Sequence, residues 1–289
     1  MGDFLNAIWL GIVEGLTEFL PVSSTAHLLV AENFLGLNKE QWEAFTVVIQ
    51  LGAVLAVAAV YWRKIWEVIA GLFTGDAKAR HFTLAVIVAF LPSAVLGVLV
   101  IKIINTILLD PVRAIPVIAT TWIIGGLLIL VFERIAPVPR YTDPDTLPLS
   151  KAFQIGLCQC LSLIPGVSRS GATILGGELL GVERKAAAAF TFYLALPTML
   201  GASVFELYKK HAALTSANLE IIAVGFIVSF IVGYIVVKTF IGFIGRYGLK
   251  PFGWYRIIAG VALIAFIAFI VLENCGADVS MQSFFTACH

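Results

Sequence analysis

The 289 residues are 60% hydrophobic and only 13% charged, and their formal net charge at pH 7 is +1. A soluble chain carries about a quarter charged residues, so this composition, with a mean hydropathy of +0.98, excludes an ordinary soluble domain. No nucleic-acid partner is expected.

Six uncharged runs are long enough to approach or reach the roughly 20 residues of a bilayer span: 44–62, 82–101, 114–132, 186–205, 221–237 and 257–272. The short alternating strands of a β-barrel do not occur. The expected class is therefore an all-α polytopic membrane protein.

In chain order, an apolar segment over 4–20 stops at Pro21, and a shorter one over 25–35 follows before a polar loop at 36–43. Neither piece can cross a bilayer alone, which predicts a broken, re-entrant helix hairpin. The first span, 44–62, leads into a basic loop with Arg63, Lys64, Lys78 and Arg80. The second, 82–101, contains Pro92 and is expected to kink there. The third, 114–132, ends in a proline- and charge-rich loop at 133–151.

The pattern then repeats. Gly156, Gln159 and Ser162 echo Gly11, Glu14 and Thr17, and Ala189-Phe190-Thr191 repeats Ala44-Phe45-Thr46 at an offset of 145. Pro165 to Ser168 is set against Pro21 to Ser24. Ser229, Gly233 and Lys238 match Ser93, Gly97 and Lys102 at an offset of 136. The expected organisation is one membrane domain over 1–289, with repeat 1 at about 4–132, repeat 2 at about 152–272 and a tail at 273–289. Each repeat holds one re-entrant hairpin and three transmembrane helices, six full spans in all. Three spans is an odd number, so the repeats should be inverted, with the broken ends meeting near the midplane.

Loops 63–81, 133–152, 183–186 and 238–256 hold 13 of the 19 Lys and Arg, Arg256 among them, against five on the opposite side. The positive-inside rule makes the first side cytoplasmic and turns both termini outward. Cys158 and Cys160 read as small apolar fillers. Cys275 and Cys288 in the tail can pair only in an oxidising compartment.

The polar residues cluster in two stretches. The first is Glu14-Gly-Leu-Thr-Glu18-Phe-Leu-Pro21-Val-Ser23-Ser24-Thr25-Ala-His27. Glu14 and Glu18 share one helix face, and two carboxylates in an apolar surround need a shared proton, a cation or an arginine. Mg²⁺ suits such a pair, since it takes one or two carboxylates and completes its shell with water and phosphate. Ser23, Ser24 and Thr25 can cap the next helix or present its N-terminus to an anion. His27 lies one turn beyond Ser24 and is a general acid–base candidate, with Ser24 a candidate nucleophile.

The second stretch is Pro165-Gly-Val-Ser168-Arg169-Ser170-Gly-Ala-Thr173. Ser168, Ser170 and Thr173 supply hydroxyls, and Arg169 supplies a fixed fork suited to phosphate. The spacing of a P-loop is absent, so no nucleotide is implied.

Both stretches resemble the signature motifs of the undecaprenyl-diphosphate phosphatase family of the bacitracin-resistance type, and the likeness covers roughly 1–272. The resemblance implies hydrolysis of a C55 polyprenyl diphosphate to the monophosphate, recycling the carrier lipid of cell-wall synthesis and conferring bacitracin resistance. It places the site at the residues matching Glu14, Glu18, Ser24, His27, Ser168, Arg169 and Thr173. It also implies a divalent-metal requirement, here Mg²⁺ or Ca²⁺ at Glu14 and Glu18. Catalysis is expected from Glu18, Ser24, His27 and Arg169, and phosphate binding from Ser23, Thr25, Ser168, Arg169, Ser170 and Thr173. The location implied is the bacterial inner membrane, with the site opening to the periplasm and a homodimer left open. The competing reading is an inverted-repeat transporter or flippase for a phosphorylated prenyl lipid.

Overall fold

A computed structural model describes residues 2–275, apart from 38, 109, 111–112 and 211–218. The tail beyond 275, with Cys288 and the pairing considered for it, lies outside the described residues. The described chain is helical, and its one β-bridge joins Tyr141 to Val182.

The first apolar segment forms α1 (Gly2–Thr17) and the second forms α2 (Ser24–Phe34). The break between them ends at Pro21-Val22-Ser23, where proline cannot continue the helix. Phe19, fully buried in this break, sets its ring edge-on against Phe192 at 5.6 Å and anchors the turn in the main core. The later counterpart is α7 (Leu149–Gln159), a short 3₁₀ turn (Cys160–Leu163) and α8 (Arg169–Leu179).

The long helices are α5 (Ala77–Ile103), α6 (Ala114–Ile135), α9 (Arg184–Lys210), α10 (Leu219–Tyr247) and α11 (Lys250–Cys275). These five are long and apolar enough to cross a membrane. A further apolar pair, α3 (Lys39–Val60) and α4 (Trp62–Thr74), meets at a 73° bend and brings the number of candidate spans to six if the pair is counted as one. Five of the six expected spans lie within a single helix, and those helices run further than the uncharged runs; the first, 44–62, crosses the bend at Tyr61 between α3 and α4. Charged ends do not stop a helix, because Lys and Arg can lay their stems along apolar surface and carry the charge outward. Pro92 sits inside α5 without ending it, and a π-helical turn (Ile104–Leu108) follows.

The basic loop expected after the first span is instead largely α4. Trp62, Trp66, Ile69 and Phe73 recur at helical spacing and are all exposed, with the two indoles stacked at 6.0 Å. Arg63 and Lys64 made this segment look like a loop; the period of its apolar residues is that of one helix face.

The hairpins are interleaved with the long helices. Helix α1 packs on α3 and α10, α7 packs on α5, α3 lies against α9, and α6 lies against α11. Small residues permit the closest approaches, as is common between membrane helices. A Cβ added at Gly15 would stand 2.7 Å from Val232 Cβ and 2.8 Å from the Ser229 carbonyl oxygen of α10. One at Gly126 of α6 would stand 2.6 Å from the Gly253 carbonyl oxygen of α11. Gly15→Val is therefore expected to push α1 off α10, destabilising the fold by about 1–3 kcal/mol. A lower apparent unfolding temperature in detergent checks this, and an unchanged one would contradict the packing described.

Candidate active site

The two hairpin breaks share a backbone conformation. Ser23 caps α2 with φ 71° and Ser168 caps α8 with φ 74°. Among the described residues these are the two non-glycine positions with positive φ. An offset of 145 relates them, as it relates Glu14 to Gln159. Ser23 is thus the equivalent of Ser168, which corrects the register set from the sequence by one residue. Ser24 corresponds to Arg169, and His27 to Ala172.

The breaks meet head to head. Ser170 Oγ donates to the Leu20 carbonyl at 2.8 Å, and Ser168 Oγ to the same oxygen at 3.4 Å. Arg169 Nη2 pairs with Glu18 Oε1 at 3.3 Å, while Ser24 Oγ donates to Glu18 Oε2. One carboxylate is thereby shared between a hydroxyl of its own hairpin and the guanidinium of the other. Arg169 Nη1 donates to the Thr191 carbonyl at 3.3 Å, and its Nε is buried without a partner.

A cavity of about 300 Å³ opens on this junction. Its polar wall carries Glu18, Ser23, Ser24, Thr25, Ser168 and Arg169, and its other wall includes Ile104, Leu163 and Met199. Gln50 of α3 and Ser162 also line it. Sequence reasoning passed over Gln50; the signal was there, since it is the only carboxamide in the run 44–62.

The other expected site residues lie around the cavity without lining it. Ser170 is engaged with Leu20, as above. Thr173 Oγ1 donates to the Arg169 carbonyl at 2.9 Å and accepts from Thr191 Oγ1 at 2.8 Å. Glu14 is fully buried behind Glu18, and neither of its carboxylate oxygens has a partner. His27 turns away from Ser24: its Nδ1 meets the Ser23 carbonyl at 2.7 Å and its Nε2 the Tyr255 hydroxyl at 2.6 Å.

Arg256 needs a larger correction. It was counted with the cytoplasmic charges, but its side chain is 1% exposed, beneath the junction. Nη1 donates to the carbonyls of Pro21 (3.1 Å) and Val167 (2.9 Å), and Nη2 to those of Thr121 (3.0 Å) and Gly166 (2.9 Å). Nε reaches the Trp122 carbonyl at 3.5 Å. The guanidinium so ties both breaks to α6. The Lys and Arg balance between the two sides becomes 12 against five, with Arg169 and Arg256 both internal.

Fold and site together define a polytopic helical membrane protein whose two broken hairpins join in a cavity holding one carboxylate and one guanidinium. The chain belongs to the family described as bacitracin resistance protein BacA, whose model matches residues 7–262. It is 50% identical over 265 residues to the undecaprenyl-diphosphatase of Rhodopseudomonas palustris strain TIE-1, covering 91% of this chain and 97% of that protein. Over 267 residues it is 47% identical to the Bradyrhizobium diazoefficiens undecaprenyl-diphosphatase, covering 92% and 98%. The match to undecaprenyl-diphosphatase 1 of Agrobacterium fabrum is 48% over 274 residues, covering 94% and 100%.

Arg256→Met would take the donor from the Pro21, Gly166 and Val167 carbonyls in the two breaks, and buried acceptors left unmade are costly. A loss on the order of 3 kcal/mol or more is expected, read as a fall in apparent unfolding temperature together with lost activity. Full stability in this variant would show that the clamp holds nothing together.

Proposed function

We propose that the protein is an integral membrane phosphatase that hydrolyses undecaprenyl diphosphate to undecaprenyl phosphate and inorganic phosphate. The observation that carries this reading is Glu18, held between the Ser24 hydroxyl and the Arg169 guanidinium on the wall of one cavity. The relatives bear the name of that activity over nearly their whole length. Phosphoryl transfer asks mainly for positioning and charge stabilisation, and both are available here.

The terminal phosphate is taken up beside Arg169, which lines the cavity and whose planar fork matches phosphate oxygens. Ser23, Thr25 and the N-terminal amides of α2 and α8 supply further donors. Glu18 removes the proton from Ser24, and Ser24 Oγ attacks the terminal phosphorus. The anhydride P–O bond breaks, undecaprenyl phosphate leaves, and water releases the phosphate from serine. Arg169 offsets the charge that gathers on the transferring group.

A divalent cation fits the donors present. Glu14 is a buried carboxylate with both oxygens unpartnered, and Glu18 stands one turn away on the same face. Among the described residues no three His, Cys, Asp or Glu side chains come together, so substrate phosphate and water would complete the shell. That suits Mg²⁺ and, less closely, Ca²⁺, rather than a metal needing nitrogen or sulfur ligands. Bound there, the ion would neutralise phosphate charge.

The two halves are read as inverted repeats with re-entrant hairpins. Support comes from the crossed packing, in which each hairpin's first helix lies on the second long helix of the other half, α1 on α10 and α7 on α5. The corrected charge balance supports a site opening to the periplasmic side of the bacterial inner membrane.

Purified protein given undecaprenyl diphosphate should release phosphate, which also separates hydrolysis from transport, since transport needs two compartments. Glu18→Gln and Arg169→Ala are each expected to lower kcat/KM by about 100-fold or more, and chelation should abolish turnover until Mg²⁺ is restored. Near-normal hydrolysis by Arg169→Ala would remove the phosphate role. Substantial activity in Ser24→Ala would make water the attacking group.

A further inference from the structure

The two serines with left-handed backbones are held in different ways. A non-glycine residue at positive φ is strained and persists only when its surroundings hold it there. Ser168 holds itself: its Oγ accepts the Gly171 amide at 3.1 Å, closing the N-cap of α8. That hydroxyl is further engaged by Ser170 Oγ at 3.1 Å. Ser23 makes no side-chain cap on α2, although its backbone conformation is nearly the same.

A substitute stands at the equivalent turn. Where α8 has Ala172, α2 has His27, whose Nδ1 reaches back to the Ser23 carbonyl at 2.7 Å, beside the helical amide bond to that oxygen at 3.2 Å. A carbonyl only accepts, so Nδ1 carries the proton. In the neutral ring Nε2 then accepts from the Tyr255 hydroxyl at 2.6 Å. The imidazole also lies beside two rings, Tyr255 nearly parallel at 5.7 Å and Trp122 at 4.6 Å.

We propose that Tyr255, acting through His27, is a positioning residue that braces Ser23 in its left-handed conformation and so leaves the Ser23 hydroxyl free for substrate phosphate. The brace does for the first hairpin what the side-chain cap does for the second. The difference matters because a capping hydroxyl is committed to the helix, whereas that of Ser23 faces the cavity uncommitted. His27 is accordingly a support of the turn, and the proton of Ser24 goes to Glu18. Tyr255 contributes one hydroxyl and a ring beside the imidazole, and phenylalanine would keep the ring while losing the hydroxyl.

The proposal rests on the hydrolase reading above, and the test separates the two. The full chain is assayed on undecaprenyl diphosphate as wild type, Tyr255→Phe, Ser23→Gly and the double variant. Glycine adopts positive φ without strain and has no hydroxyl, so it removes both the need for the brace and its product. Tyr255→Phe is expected to lower kcat/KM about tenfold in the wild-type background, the size of one hydrogen bond, and less than twofold in Ser23→Gly. Equal losses in both backgrounds, or less than a twofold loss in the first, would overturn the proposal. Independently of turnover, ¹⁵N-histidine spectra of the full chain in nanodiscs should show the His27 Nε2 resonance shift in Tyr255→Phe. An unshifted resonance would also overturn it. Absence of hydrolysis by the wild-type chain would instead strike the assigned activity, with the ¹⁵N signal still judging the brace.

Discussion

Breaking a helix inside an apolar medium strands backbone carbonyls where no water can reach them, and the fold is organised around meeting that demand. Arg256 meets much of it. Its guanidinium takes carbonyls from Pro21, Gly166 and Val167 in the two breaks and from Thr121 and Trp122 on α6. Ser168 and Ser170 complete the junction by donating to Leu20. The same cation leaves a positive charge buried beside the junction of the two breaks.

Around these two breaks the side chains differ more than the backbone does. Glu14 occupies the place of Gln159, and the two are buried alike. Gln159 donates to Ser93, while the Glu14 carboxylate accepts no hydrogen bond from a protein donor. Ser24, the hydroxyl that meets Glu18, stands where the second half has Arg169. The first hairpin therefore brings acid and hydroxyl, and the second brings the cation. Only their contact makes a site, which explains why neither stretch carries the chemistry alone.

The division between what could and could not be read follows from the range of the forces involved. Apolar runs report burial in lipid locally, so five of the six expected spans fall within one helix, and only 44–62 meets a bend, at Tyr61. Periodicity is local too, and α4 was legible at 62, 66, 69 and 73, although its charges drew attention first. Thr191 gave no comparable signal. Its carbonyl and hydroxyl both serve the second hairpin, yet it sits in an alanine- and phenylalanine-rich run that reads as packing.

By itself the sequence determined the membrane class, the two broken hairpins, and the acid, hydroxyl and arginine inventory, because composition and helix breaking are properties of neighbouring residues. Tertiary structure alone decided partners. Arg256 follows Trp254 and Tyr255 at the edge of an apolar run and looks like a headgroup anchor, but the packing of α11 on α6 carries it into the centre. Tyr255 meets His27 across 228 residues of chain. Ser24 belongs to Glu18 rather than His27 because the left-handed turn at Ser23 aims the hydroxyl one way and the imidazole the other. A hydrogen bond is settled over a few ångströms of space, and that distance is fixed only when the helices pack.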